Sequence, residues 1–94
     1  MKYLKNYKTE LQCIACGRVH ENGNVLHHVQ SRGAGGGDEE WNLMPLTNDC
    51  HNEVHMKGLN EFSEKYIYVK TWLYNNGWRK YGGKYRRLKH IDMN

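Results

Sequence analysis

The stretch NDCHNEVH, residues 48–55, places one cysteine and two histidines within six positions. Thr47 or Asn48 can cap a helix, Asp49 suits its first turn, and Gly58 can end it, so the spacing predicts a short helix over about 48–56. On that helix His51 and His55, four apart, share a face, whereas Cys50 points about 100° away from His51. One segment then serves two sites. The histidine pair is suited to one metal ion, while Cys50 reaches back toward Cys13-x-x-Cys16, a spacing that lets two thiolates hold one zinc. Either feature alone is unspecific.

Upstream, His27-His28 stands at the end of an expected strand, where adjacent side chains point to opposite sides. One imidazole can therefore bind metal while the other handles a proton. One of this pair together with His51 and His55 would leave open positions on a divalent ion for a phosphate oxygen and water, as a catalytic metal requires. Glu53 lies two residues from both helix histidines and so faces away from them, in a solvated or core-edge role. H-N-E-V-H is also not the H-E-x-x-H of a metalloprotease.

Between these segments runs SRGAGGGDEEW, residues 31–41, with four glycines. Such a loop has little side chain to pack; it can approach a phosphate closely, as Arg32 within it could, or simply connect. NLMPL, residues 42–46, is a short apolar piece whose Pro45 argues for an extended or edge segment. Residues 11–29 read as a cysteine-bearing turn followed by extended pieces on either side of Asn22-Gly23, a hairpin signal. Beyond Gly58, the residues Leu59, Phe62, Tyr66, Val69 and Leu73 recur at three and four, predicting one amphipathic helix over 59–76 with Asn76-Gly77 as its stop.

The 94-residue chain has room for a single domain, residues 1–94, of a size that gains from a metal's help. A mean hydropathy of −0.94 is polar, but seven Tyr and three Trp distinguish the chain from a disordered one. The N-terminal residues have no apolar run of signal-peptide length and no segment is long enough to span a membrane, so the expectation is a cytoplasmic protein without membrane partners. In a reducing compartment three cysteines suggest metal rather than disulfide. Residues 77–94 carry Arg79, Lys80, Lys84, Arg86, Arg87 and Lys89 against Asp92 alone, a net of +5, whereas the first 76 residues net −1. This basic tail, interleaved with Trp78, Tyr81 and Tyr85, reads equally as a nucleic-acid-binding surface and as a solvated tail.

HHV, the glycine loop, NLMPL and CHNEVH, in that order, resemble the HNH (ββα-metal) endonuclease family, and among its members phage and prophage nucleases with a cysteine turn ahead of the core. The resemblance covers about residues 11–90 and implies an α+β fold. Its ββα-metal core of β-hairpin, Gly-rich loop and short helix, with the knuckle, would span 11–56, followed by the amphipathic helix and the basic tail. It implies His28 as the general base, His27, His51 and His55 as ligands of the catalytic metal, and Asn42 as the residue that holds the loop and helps orient the base. It further implies hydrolysis of DNA to 5′-phosphate and 3′-hydroxyl ends, in a phage or prophage protein acting in a bacterial host, with a second copy or another phage protein as a candidate partner. Three imidazoles suit Zn, Ni, Co or Mn, and the phosphate chemistry is compatible with Mg. Relatives with the cysteine turn commonly close a structural zinc site with a second pair at the helix start; here Thr47 stands at the first of those positions. Cys13, Cys16 and Cys50 remain, with His20 the best candidate fourth ligand and Asp49 or water behind it.

The rival reading is a non-catalytic, zinc-stabilised nucleic-acid-binding module, for which the tail and the C-x-x-C would suffice. A binding module has no use for His28 beside a three-histidine site, which favours the enzyme.

Overall fold

The computed structural model describes residues 8–88. At the centre of its larger sheet lies β2 (Asn24–His28), antiparallel to β1 (Lys8–Thr9) on one side and to β3 (Leu43–Leu46) on the other. The register sets His27 opposite Met44 and His28 opposite Leu43. Pro45 sits in β3, an edge strand, where a missing N–H is tolerated; its carbonyl instead accepts the Ile14 N–H at 2.9 Å. Next comes α1 (Asn48–Lys57), which packs against β2 and β3. Thr47 caps it, its Oγ1 accepting the Cys50 N–H at 3.2 Å, and Gly58, with φ of 86°, turns the chain out of it. The fold is α+β.

The structure corrects three expectations. The hairpin expected around Asn22-Gly23 does not form: the turn only leads into β2, whose partners are β1 and β3. The reason is Asn24, fully buried, whose Nδ2 donates to the carbonyls of Leu11 and Arg18 at 2.8 Å each and folds residues 11–18 into a knuckle instead of a strand.

The single helix expected over 59–76 is two helices, α2 (Leu59–Lys65) and α3 (Ile67–Asn75), parted at Tyr66, whose backbone is extended. Tyr66-Ile-Tyr-Val69 is a run of aromatic and β-branched residues with weak helix preference. Phe62, Val69 and Leu73 still face inward at 0 % exposure, because a break of one residue leaves the apolar stripe on the same side.

The described part of the basic segment expected as a tail over 77–94 is a folded element. Residues 78–87 form a hairpin, β4 (Trp78–Tyr81) and β5 (Lys84–Arg87), turning through Gly82 and Gly83, both at positive φ as a tight two-residue hairpin turn demands. Lys89 lies outside the described residues.

The core joins these parts: Met44 and Leu46 from β3, Cys50 and Val54 from α1, Phe62, Val69 and Leu73 from the later helices, and Trp78 from β4. Trp78 also donates its Nε1–H to the Trp41 carbonyl at 2.8 Å, which ties the hairpin to the end of the Gly-rich loop. Among the described residues no helix is long and apolar enough to cross a membrane.

Candidate functional site

β2 and α1 together build a cluster of three imidazoles. His27 projects from β2 toward the helix face that carries His51 and His55; the ring centroids lie 5.2 Å (His27 to His51), 5.3 Å (His27 to His55) and 4.5 Å (His51 to His55) apart. One ring nitrogen from each lies within 4.8 Å of the others, and the Nε2 atoms of His51 and His55 approach to 3.0 Å. Burial holds His27 far below the ordinary imidazole range, at about 3, with the neighbouring His51, His55 and His28 adding to the effect. Burial lowers His51 as well, helped by His55. Three imidazoles with their nitrogens turned together are the donor set that a borderline first-row divalent ion takes, so the residues fit a metal.

His28, next along β2, does not join the cluster; its Nε2 lies 2.9 Å from Asp38 Oδ1. Asn42 is fully buried at the end of the loop and binds it at three points. Its Oδ1 accepts the Gln30 N–H at 2.8 Å, and its Nδ2 donates to the carbonyls of Gln30 and Gly37 at 3.0 and 2.8 Å.

Residues 13–57 match the family model described as HNH endonuclease. The HNH endonuclease pattern is thus carried by residues 13–57. No curated protein and no solved structure matched the chain. The HNH segment thus contains the whole three-imidazole cluster, His28, Asn42 and all three cysteines, while α2, α3 and the β4–β5 hairpin lie beyond it. A segment of that family implies a nucleic-acid substrate and a divalent metal.

A second cluster in the HNH segment brings Cys13, Cys16 and Cys50 together, again with one donor atom each within 4.8 Å. All three are free thiols, a donor set that fits zinc. Burial pushes Cys50 up to about 12, against the hydrogen bond with Thr47 and together with Cys13 and Cys16. Burial pushes Cys16 up too, but hydrogen bonds to the Arg18 backbone and side chain, Cys13 and Thr47 outweigh it and bring the thiol down to about 7. His20, the expected fourth ligand, is not in this cluster: its Nδ1 accepts the Asn22 N–H at 3.1 Å. The side chain found beside the thiols is Thr47, whose Oγ1 lies 4.0 Å from Cys16 Sγ.

A groove of about 1250 Å³ opens beside the imidazoles and is lined by His27, His28 and His55 together with Lys84, Arg86 and Arg87 of β5. The cations of the hairpin differ in their freedom. Lys84 and Arg86 are exposed, whereas Arg87 donates to the Asn76 carbonyl at 2.9 Å and stacks 3.9 Å above the Trp41 ring. Arg79 stacks on Tyr74 at 3.7 Å, and Lys80 pairs with Glu64 at 2.7 Å.

Asp38 escaped the sequence reading. The first of three consecutive acids after a glycine run gives no periodic or spacing signal; only the folded loop brings it to His28. Glu53 likewise has a definite role: it accepts from Lys57, Lys65 and Tyr66 on the helix side away from the metal cluster.

Proposed function

We propose that this protein is a metal-dependent DNA endonuclease or nickase that hydrolyses phosphodiester bonds to 5′-phosphate and 3′-hydroxyl ends. The observation that carries the reading is the three-imidazole cluster with His28 beside it on the same strand and outside the donor set. His27, His51 and His55 would hold the ion. A divalent ion bound there supplies electrostatic stabilisation of the charge that builds on the scissile phosphate and on the leaving 3′ oxygen.

The remaining work falls to the chain's own side chains. His28 takes the proton of the attacking water as general base, a contribution of order 10² to 10⁴ in rate. Asn42 keeps the loop after His28 in one shape, which steadies the strand end on which the base sits. The groove that passes the imidazoles also touches β5, so Lys84 and Arg86 would hold flanking phosphates and thereby align the strand. The cysteine cluster would hold a structural zinc that pins the knuckle to the start of α1.

The test is incubation of the purified protein with supercoiled plasmid in Mg, Mn, Ni or Zn, with His28→Ala alongside. Nicked or linear product from the wild type and a fall of about 10² to 10⁴ in rate for the variant are expected. If neither protein cuts with any ion while both retard DNA on a gel, the enzyme reading gives way to a zinc-stabilised binding module.

A further inference from the structure

The loop between β2 and β3 looks in sequence like slack, with glycine at positions 33, 35, 36 and 37. In the fold it is tightly drawn. Ser31 accepts the Gly36 N–H on its carbonyl at 2.8 Å, and Gly35 takes up a left-handed φ of 93°. Gly36 lies so close to the Gln30 backbone that a Cβ there would overlap the Gln30 carbonyl and crowd Asn42 Nδ2. Asn42 then binds both Gln30 and Gly37, so the two ends of the loop are clamped by one buried side chain. The residue immediately after this clamp is Asp38.

Asp38 is thus delivered to His28 by backbone geometry rather than by chance contact of two long side chains. Its Oδ1 lies 2.9 Å from His28 Nε2, and Arg32 Nη2 lies 3.2 Å from its Oδ2. The His28 hydrogen bond, with Arg32 assisting, holds the Asp38 carboxyl below the usual range. An ionised carboxylate only accepts hydrogen bonds, so the proton of this contact belongs to the imidazole. A neutral His28 with its hydrogen on Nε2 carries its basic lone pair on Nδ1.

We propose that Asp38 is a positioning residue for His28, fixing the ring's orientation and its Nε2–H tautomer through a carboxylate that Arg32 and the Asn42-clamped glycine loop hold in place. The inference rests on the reading of His28 as the general base. Exposed pairs of this kind contribute little to stability, and Asp38 is half exposed, so its role lies in the ring it holds. The glycines gain a reason as well: they let the loop fold back closely enough to bring a short acid to the strand end.

The test uses the full chain, ¹⁵N-labelled at histidine, with Asp38→Ala and Asp38→Glu. In the wild type the His28 ring nitrogens should report the Nε2–H tautomer. Asp38→Ala should yield a tautomer mixture and a kcat lower by about tenfold to a hundredfold, a part of the general-base contribution, with KM and metal binding at the imidazole cluster unchanged. Asp38→Glu should restore part of both signals. A wild-type His28 protonated on Nδ1, or a tautomer unmoved in Asp38→Ala, overturns the proposal. A wild type that cuts nothing would sink the base reading by itself, and the ring spectrum would still decide whether Asp38 sets the tautomer.

Discussion

Tyr66 donates its hydroxyl to Glu53 Oε1 at 2.7 Å, joining the residue where α2 and α3 part to the helix that carries His51 and His55. Glu53 also accepts from Lys65 and Lys57, and these bonds together, Lys65 first, hold its carboxyl down to about 2 from 4.5. A carboxylate whose folded pKa is depressed stabilises the fold above its unfolded value and loses that contribution as pH falls through the folded one. The melting temperature of the wild type should therefore exceed that of Glu53→Gln at pH 6, and the gap should close between pH 4.5 and 2. Thermal melts by circular dichroism at four pH values check this; a constant gap would mean that the charge of Glu53 is irrelevant.

Replacing Asn42 by Ala strips partners from the Gln30 N–H and from the carbonyls of Gln30 and Gly37. A loss of about 1–3 kcal/mol in urea unfolding is expected, with cleavage greatly reduced and metal affinity kept, because no imidazole of the cluster lies in the loop. Gly36→Ala should do comparable harm through backbone overlap rather than lost bonds. Calorimetric metal titration beside the unfolding curves separates loop damage from loss of the metal centre.

In the metal-free, reduced protein Cys16 should react first with iodoacetamide near neutral pH, since it is exposed and lowered to about 7, whereas Cys50 is buried and raised to about 12. Zinc should protect all three thiols. Thr47→Cys should add a fourth thiolate and slow zinc loss to a chelator, although it removes the cap of α1 at a cost of about 1 kcal/mol in the metal-free state. His20→Ala should leave zinc retention as it is; faster loss in that variant would restore His20 as a ligand.

Lys84→Ala and Arg86→Ala should each flatten the dependence of log K on log salt for duplex DNA by about 0.9, the signature of one phosphate contact. Arg87→Ala should act mainly on stability, because its guanidinium is committed to Asn76 and Trp41. Binding isotherms between 50 and 200 mM salt, read with melts of the same proteins, separate the two effects.

How much of this was legible in the sequence depended on what each signal encodes. The spacing of His51 and His55 on a capped helix, and the neighbouring pair His27-His28 on a strand, are local facts, and the fold brings three of the four rings together. Periodicity could not register the break at Tyr66, because one extended residue leaves Phe62, Val69 and Leu73 on the buried side. Gly82-Gly83 between two Lys-Tyr steps is a readable hairpin signal, one that the charge balance of the segment does not carry. Asp38, Thr47 and His20 were beyond reach: which of them meets a histidine or a thiol is set by the clamped loop and the knuckle, and neither has a sequence period.

The core shared by Met44, Val54, Phe62, Leu73 and Trp78 bears on how the HNH segment could be transplanted. The segment that matches the family ends at residue 57, yet the apolar faces of β3 and α1 are covered by side chains that come after it. Grafted alone into a fusion protein, residues 13–57 would expose those faces and lose the Trp78 tether on Trp41, at the exit of the Gly-rich loop. The portable unit runs at least through the basic hairpin, so the strand that lines one side of the groove travels with the imidazoles on the other.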